Sequence, residues 1–270
     1  MHLSSEKLCA EIAQRLPGRA FRLETYDLLS STNDRVRELA CGDAPEYTLV
    51  AAGGQSSGRG TQGREFFSPA DTGVYMSLLL RPAVLENPGR ITVTAAVAVS
   101  RAVEKLFACR TQIKWVNDVY FAGKKVSGIL AEGGIDPQCG AWVALGIGVN
   151  LLAPEGGFPE SLRERAGALL PNGALASREA LMAQILADFV ELYENADDEL
   201  LYEVYCARHM LRGNKVYIML DGGETEALVL GIDRDFALRV RLPDGSEMPL
   251  RSSASLHLPE KTGLHNDWRF

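Results

Sequence analysis

The sequence lacks any long hydrophobic run. No stretch approaches the roughly 18 apolar residues that cross a bilayer as a helix. The N-terminus, Met1-His2-Leu3-Ser4-Ser5-Glu6-Lys7-Leu8-Cys9, has none of the apolar core of a secretory signal. Positive charge is also short: 28 Lys and Arg against 35 Asp and Glu leave a net charge of −7. Phosphate neutralisation dominates non-specific binding to nucleic acid, so an acidic chain is a poor candidate for it. A nucleotide site, which needs only a local cluster of cations, is not excluded. Cysteine is sparse: Cys9, Cys41, Cys109, Cys139 and Cys206 are odd in number, far apart and form no C-x-x-C. That pattern reads as reduced thiols in a cytoplasmic protein without a disulfide framework. His2, His209, His257 and His265 do not cluster with them, so a structural zinc site is not expected.

What is present suits a packed soluble protein. The chain has 270 residues, 46% hydrophobic and 23% charged, enough for one large domain or a large and a small one. Two short amphipathic segments open it. The first lies near Glu6–Leu16; the second is Arg35–Ala40, behind the N-cap signal Ser30-Ser31-Thr32-Asn33-Asp34. Thr48–Ala52 and Val74–Leu80 read as strands, and Ile91–Phe107 as a helix with Ile91, Ala95, Ala98, Ala102 and Leu106 on one face. Gln112–Trp115, Val119–Phe121, Lys125–Glu132 and Trp142–Asn150 read as four strands, with Asn117-Asp118, Ala122-Gly123 and Gly133-Gly134 in the turns. Ser177–Leu200 reads as one long helix capped by Ser177. After Tyr205 the pattern changes to short strands, Lys215–Leu220, Glu224–Ile232, Ala237–Leu242 and Glu247–Arg251, with Asp221-Gly222-Gly223 and Asp244-Gly245 as hairpin turns. A small barrel is expected there, with a boundary near Arg212 and a loose tail from Lys261. Trp142 reads as strand packing, and Trp268, in the tail, takes no role.

Gly58-x-Gly60-x-x-Gly63 matches a dinucleotide fingerprint only as a string. That fingerprint opens a helix whose N-terminus holds pyrophosphate, whereas Glu65-Phe66-Phe67-Ser68-Pro69 follows here and no helix can start. A P-loop would need Gly-Lys-Ser/Thr where Arg64-Glu65 stands. Two readings stay open from the loop alone: a solvated surface loop, or one that closes over an anion, with glycines freeing the backbone and Arg59 and Arg64 supplying forked hydrogen bonds. Downstream, a hairpin over Lys114–Lys125 brings Lys114, Asn117, Asp118 and Lys125 to one mouth, a set suited to a nucleotide and a divalent ion. On spacing alone the better reading is an ordinary hairpin with an Asn-Asp turn and a lysine at its edge.

Lys114-Trp115-Val116-Asn117-Asp118 followed by Gly123-Lys124-Lys125-Val126-Ser127-Gly128-Ile129-Leu130 resembles the signature of biotin protein ligases. Three further stretches stand in the same order. Ser31-Thr32-Asn33 resembles the biotin-contacting turn. Gln55 with Gly58-Arg59-Gly60-Thr61-Gln62-Gly63-Arg64 resembles the adenylate loop, and Gly146-Ile147-Gly148-Val149-Asn150 the strand end near adenine. The likeness is strong over Tyr26–Asn150 and looser in the C-terminal part. It implies an α/β (more strictly α+β) fold: a mixed, largely antiparallel sheet backed by helices, class II synthetase-like, followed by an SH3-like barrel. The implied division is residues 1–211 catalytic, 212–260 barrel and 261–270 tail.

The resemblance implies a ligase that activates biotin with ATP and Mg²⁺ to biotinyl-5′-adenylate. The biotin then passes to a lysine of a biotin carboxyl carrier domain of a biotin-dependent carboxylase. The implied catalytic set is Lys125, Arg59 and Asp118, with Asp118 placing the magnesium. Ser31, Thr32, Asn33, Gln55, Arg59, Gly60, Thr61, Lys125 and Gly128 are implied for biotin. Arg59, Arg64, Phe66, Lys114, Asn117 and Asn150 are implied for ATP. The chemistry fits: lysine is a compact charge for bridging a carboxylate and a phosphate, and biotin's buried ureido ring needs matched polar partners. Ser31-Thr32-Asn33 serves equally as a helix cap, and Phe66 equally as core packing. Two departures stand out. Thr61 replaces an arginine that in the family helps retain the adenylate, and Val116 replaces a proline, where an extended valine is expected to change little.

Two alternatives accompany this reading. A lipoate or octanoate ligase or transferase has the same broad fold. A biotin-sensing repressor would carry an N-terminal winged helix; the stretch ahead of Ser30 is too short for one, so the short form of the ligase without DNA binding is expected. The family admits a homodimer.

Overall fold

The computed structural model describes residues 2–42, 44–83, 88–137, 140–220, 223–252 and 256–257. The chain runs α1 (Ser5–Arg15), β1 (Arg22–Leu29), α2 (Thr32–Ala40), β2 (Thr48–Gln55), β3 (Gly73–Leu80), α3 (Pro88–Phe107), β4 (Gln112–Lys114), β5 (Asp118–Phe121), β6 (Lys124–Asp136) and β7 (Gly140–Asn150). It continues with α4 (Glu160–Arg163), α5 (Arg178–Asn195), α6 (Asp198–Cys206), β8 (Lys215–Leu220), β9 (Gly223–Ile232), β10 (Leu238–Arg241), β11 (Glu247–Leu250) and β12 (Leu256–His257). The first seven strands form one sheet in the order β1-β2-β3-β7-β6-β5-β4. Only β1–β2 is parallel; the other pairs are antiparallel. The last five form a separate antiparallel sheet, β11-β10-β9-β8-β12, where the small barrel was expected. The expected mixed, largely antiparallel sheet backed by helices is present.

Strand alternation explains the layering. Side chains two apart share a face, and the central strands are apolar on both. Leu49, Leu78, Leu80 and Leu145 enter the main core with α3 and α5. Val50, Leu79 and Ala144, from intervening positions, join Val36 and Ala40 of α2 in a smaller cluster on the opposite face. Short α2 covers that face only in part, and the site lies beyond its N-terminus.

Several boundaries differ from the sequence reading. The expected helix Ser177–Leu200 is two helices. Ala196 is extended (φ −77°, ψ 131°), and Asp197 then caps α6 by accepting the Leu200 N–H at 2.8 Å. Propensity alone does not reveal a local cap that restarts a helix. β1, which the sequence reading missed, is a half-exposed edge strand with no clean alternation. β2 continues to Gln55 through two glycines expected in the loop, because Leu28 and Leu29 pair with Gly54 and Gln55. A Cβ at Gly53 would come within 2.7 Å of the Asp27 carbonyl oxygen. The turn expected at Gly133-Gly134 is absent: β6 runs on to Asp136, and Gly134 gives room to the Trp142 ring. Among the described residues, Cys9, Cys41, Cys109 and Cys206 are not in disulfides. Cys139, Trp268 and the tail Lys261–Phe270 lie outside the described residues. Among those described, no helix is long and apolar enough to cross a membrane.

The two sheets meet at the β4–β5 turn. Trp115 is 2% exposed, and its indole N–H donates to the Phe236 carbonyl, between β9 and β10, at 2.8 Å. Tyr205 of α6 is fully buried and donates its hydroxyl to the Val116 carbonyl at 3.4 Å. The backbone of β4 pairs with residues 208–210 through Ile113 N–H to the Arg208 carbonyl and Met210 N–H to the Ile113 carbonyl. Trp115→Phe keeps most of the bulk and strands a buried carbonyl, an omission costing about 1–3 kcal/mol. Urea unfolding is expected to show a lower midpoint with an unchanged slope.

Candidate functional site

A half-open cleft of about 460 Å³, counting the space open to solvent, lies beyond the N-terminus of α2. That size is ordinary for a small-molecule site. Its floor is β6 and β7. Gly128 pairs with Gly148 and Leu130 with Gly146, so glycines two apart meet on one face. A Cβ at Gly148 would come within 2.5 Å of the Phe66 ring, and one at Gly146 within 2.3 Å of Asn33 Oδ1. The missing side chains therefore make the hollow and seat both groups. Met76, Ile129 and Ile147 supply apolar lining.

One end is polar and largely dry. Ser31 caps α2, accepting the Asp34 N–H, while Thr32 and Asn33 are each 4% exposed. Gln55 Oε1 accepts the Thr32 N–H at 2.8 Å and lies 3.1 Å from the Thr32 hydroxyl. Gln55 Nε2 donates to the Ser68 hydroxyl at 2.9 Å. Asn33 Nδ2 faces the Leu130 carbonyl (3.4 Å) and Glu132 Oε2 (3.0 Å), which fixes its amide, so Oδ1 accepts from the fully buried Ser77 hydroxyl at 2.6 Å. Each buried polar atom so matched avoids the cost of a lost hydrogen bond.

The glycine-rich segment forms the roof. Gly58 packs so closely that a Cβ would sit 2.5 Å from the Phe66 carbonyl oxygen and 2.6 Å from Ser68 Oγ. Thr61–Gly63 is one 3₁₀ turn, and no α-helix follows it before α3, in line with the rejected dinucleotide reading. Arg59 leans across the mouth, Nη1 donating to Asp34 Oδ1 at 2.7 Å and Nη2 to Glu132 Oε1 at 2.8 Å. Gly60 and Thr61 line the cleft beside it.

The far wall is the β4–β5–β6 hairpin. Lys125 lines the cleft, its Nζ 3.2 Å from a Cβ built on Gly128 and 2.5 Å from Asp118 Oδ1. Lys114 pairs with Asp118 across β4–β5. Burial holds the Lys114 ammonium below its ordinary pKa; Asp118 opposes that, while Lys125, Arg64 and Arg165 add to it. These cations thus share one neighbourhood, with Asp118 among them. The Trp115–Val116 peptide is cis, where an extended valine was expected.

The structure brings Ser31, Thr32, Asn33, Gln55, Arg59, Gly60, Thr61, Phe66, Asn117, Lys125 and Gly128 to one cleft. Arg64, Lys114, Asp118 and Asn150 are not in its lining. Arg64 is exposed, bonded to Gln62 Oε1 at 3.0 Å. The amide N–H groups expected to face adenine are engaged with backbone: Asn117 Nδ2 donates to the Ile129 carbonyl at 2.8 Å, and Asn150 Nδ2 to the Gly167 carbonyl at 3.0 Å. Those bonds hold the β4–β5 turn to β6 and β7 to the 165–167 segment, and leave each Oδ1 and the second amide N–H for a ligand. Sequence reading missed Ser77, Glu132 and Arg165. The signal for Ser77 was one hydroxyl inside the apolar run Val74-Tyr75-Met76-Ser77-Leu78; Arg165 lies in an irregular segment that gave none.

Residues 26–150 match the model of the biotin/lipoate A/B protein ligase family. The chain is 34% identical over 228 residues to the bifunctional ligase/repressor BirA of Bacillus subtilis, spanning 82% of this chain and 69% of that one. It is 32% identical over 232 residues to the biotin–[acetyl-CoA-carboxylase] ligase of Mycobacterium tuberculosis, with 82% of each covered. Among solved structures, the biotin protein ligase of Aquifex aeolicus in complex with biotin and ATP superposes with a TM-score of 0.73 at 26% identity. The superposition takes in 88% of this chain and 99% of that one. A cleft of this make-up, on a fold shared almost end to end with such proteins, places the chain in the biotin/lipoate A/B protein ligase family.

Proposed function

We propose that the protein is an ATP-dependent biotin protein ligase. The observation that carries the reading is the cleft itself: a dry polar end at Thr32, Asn33 and Gln55, an apolar middle, and a cationic end at Lys125 with Arg59 over the mouth. Biotin has that order of parts, a ureido ring, an apolar bicycle and chain, and a carboxylate. A lipoate or octanoate tail offers no ureido group to satisfy the buried polar end, and two of the proteins named above, those of Mycobacterium tuberculosis and Aquifex aeolicus, are biotin ligases by name.

In the first step a biotin carboxylate oxygen attacks the α-phosphorus of ATP, forming the acyl–phosphate bond of biotinyl-5′-adenylate as pyrophosphate leaves. Lys125 stands between the two anions, where a compact cation offsets the charge that develops. Arg59 faces the carboxylate and α-phosphate; Lys114 and Arg64 serve the leaving phosphates, and Phe66 covers the ligand. In the second step an uncharged lysine amine of a carrier domain attacks the acyl carbon, AMP leaves and the amine gives up a proton. Asp118 fits a magnesium ligand: among the described residues its Oδ1 is buried without a hydrogen bond and forms an ion pair with the Lys125 ammonium. Among the described residues no group of three or more His, Cys, Asp or Glu converges, so one carboxylate together with the phosphates would hold the ion, as Mg²⁺ commonly is. The metal would supply charge neutralisation on those phosphates. The partner is a biotin carboxyl carrier domain, in keeping with the name of the Mycobacterium tuberculosis relative, and the net charge of −7 disfavours DNA.

The direct test mixes the protein with biotin, Mg-ATP and an apo carrier domain, reading pyrophosphate release and label on the carrier, with lipoate beside biotin. Release with biotin alone is expected; no label on the carrier overturns the reading. Lys125→Ala is expected to slow adenylate formation by about 10²–10³-fold. Single-turnover rates check it.

Lys114 gives a pH dependence. Its folded pKa is depressed, so it loses its proton at lower pH than a free lysine. Bound phosphates favour the charged form, so kcat/KM for ATP falls as pH rises through that depressed pKa. Lys114→Arg, which stays charged, is expected to move the fall to higher pH.

Thr61 lines the cleft at the position where the resemblance implies an arginine. Thr61→Arg adds a cation near the adenylate phosphate and is expected to slow escape of biotinyl-adenylate roughly tenfold, read by chasing preformed labelled adenylate.

A further inference from the structure

The carboxylate of Glu132 is used at both oxygens, and each holds a different part of the cleft. Oε1 accepts from Arg59 Nη2 at 2.8 Å, and Oε2 accepts from Asn33 Nδ2 at 3.0 Å. Arg59 belongs to the roof and Asn33 to the polar end, and Glu132 comes from β6 of the floor, two residues beyond Leu130 in the lining. Asp34 contacts Arg59 as well, at 2.7 Å, but makes no bond to Asn33. Of the five N–H groups of the Arg59 guanidinium, two point at these carboxylates, which leaves three for a ligand anion.

Exposure decides what this arrangement is for. The side chains of Arg59 and Glu132 are 37% and 31% exposed, and ion pairs so open to water contribute little to stability. Yet two charge-assisted bonds to one rigid carboxylate fix direction well. We propose that Glu132 is a positioning residue of the site, aligning the Asn33 amide toward the ureido end and the Arg59 guanidinium toward the carboxylate end of the same ligand. The proposal rests on the biotin-ligase reading. Glu132 itself touches no reacting atom; it couples the two ends, so that a ligand satisfying one finds the other already aimed.

The test is Glu132→Gln, which keeps shape but replaces one acceptor oxygen with a donor, so both bonds cannot persist. The expected result is a KM for biotin raised roughly tenfold or more, with kcat for pyrophosphate release changed far less and the thermal midpoint within about 2 °C of the parent. Glu132→Asp, too short to reach both partners, is the second variant and should behave alike. In an Asn33→Ala background the effect of Glu132→Gln should shrink, because the double-mutant cycle removes a shared interaction. A parent-like KM in both variants, a lowered thermal midpoint with unchanged KM, or strictly additive effects with Asn33→Ala would each overturn the proposal. Failure of the unmutated protein to use biotin would overturn the ligase reading instead, so the two failures are distinct.

Discussion

The site depends on what three positions do not carry. Gly128, Gly146 and Gly148 face one another across β6 and β7, and the missing side chains leave a trough in an otherwise close-packed sheet. Interiors are packed to near crystalline density, so a trough of this kind is filled or it is a binding site. Here it is shared: the Asn33 amide fills one end, the Phe66 ring lies over the other, and the space between forms the cleft. Every other element of the site is arranged around that hollow. Helix α2 delivers Thr32 and Asn33 to it, β2 delivers Gln55, and the glycine-rich roof covers it. A methyl group on any of the three glycines would displace a group that the site uses.

Charge is distributed along the cleft by the same geometry. Acidic groups concentrate near the mouth, where Asp34 and Glu132 hold Arg59, and basic groups at the hairpin wall, where Lys114, Lys125 and Arg165 surround Asp118. Burial makes the Lys114 cation costly, and Asp118 offsets that only in part, which is why Lys114 holds its proton less firmly than a free lysine. A polyanionic ligand relieves that cost. The excess of acidic residues over the whole chain hides this local reversal, and only the arrangement in space reveals it.

Much of the fold was legible because period-2 and period-3.6 patterns are strong in β3, α3 and β7, where both faces of the sheet are apolar. The site residues were legible in their runs: Ser31-Thr32-Asn33, Gly58–Arg64 and Lys114–Lys125 each lie within a few residues of chain. What the sequence hid is long-range. β1 is irregular because it is an edge strand. β6 runs through Gly133-Gly134 because Trp142 on the neighbouring strand needs the space. Glu132 and Ser77 act only through partners distant in the chain, Glu132 on Arg59 and Asn33, and Ser77 on Thr32 and Asn33. Asn117 and Asn150 look like ligand groups in sequence, and their amides also tie the β4–β5 turn to β6 and β7 to the 165–167 segment.

The two halves of the cleft are also secured by bonds of different kinds. The floor is held by backbone ladders, and Lys125 is stitched on both sides, its N–H to the Arg165 carbonyl and its carbonyl to the Gly167 N–H. Such bonds yield only when the sheet itself opens, a rare event drawn from the high end of the local stability range. The roof has backbone bonds of its own, Gly60 N–H to the Arg64 carbonyl and Phe66 N–H to the Gly58 carbonyl, but Arg59 extends across the mouth through two side-chain pairs that water reaches. The cleft thus joins a cover that water can loosen to a base that it cannot reach.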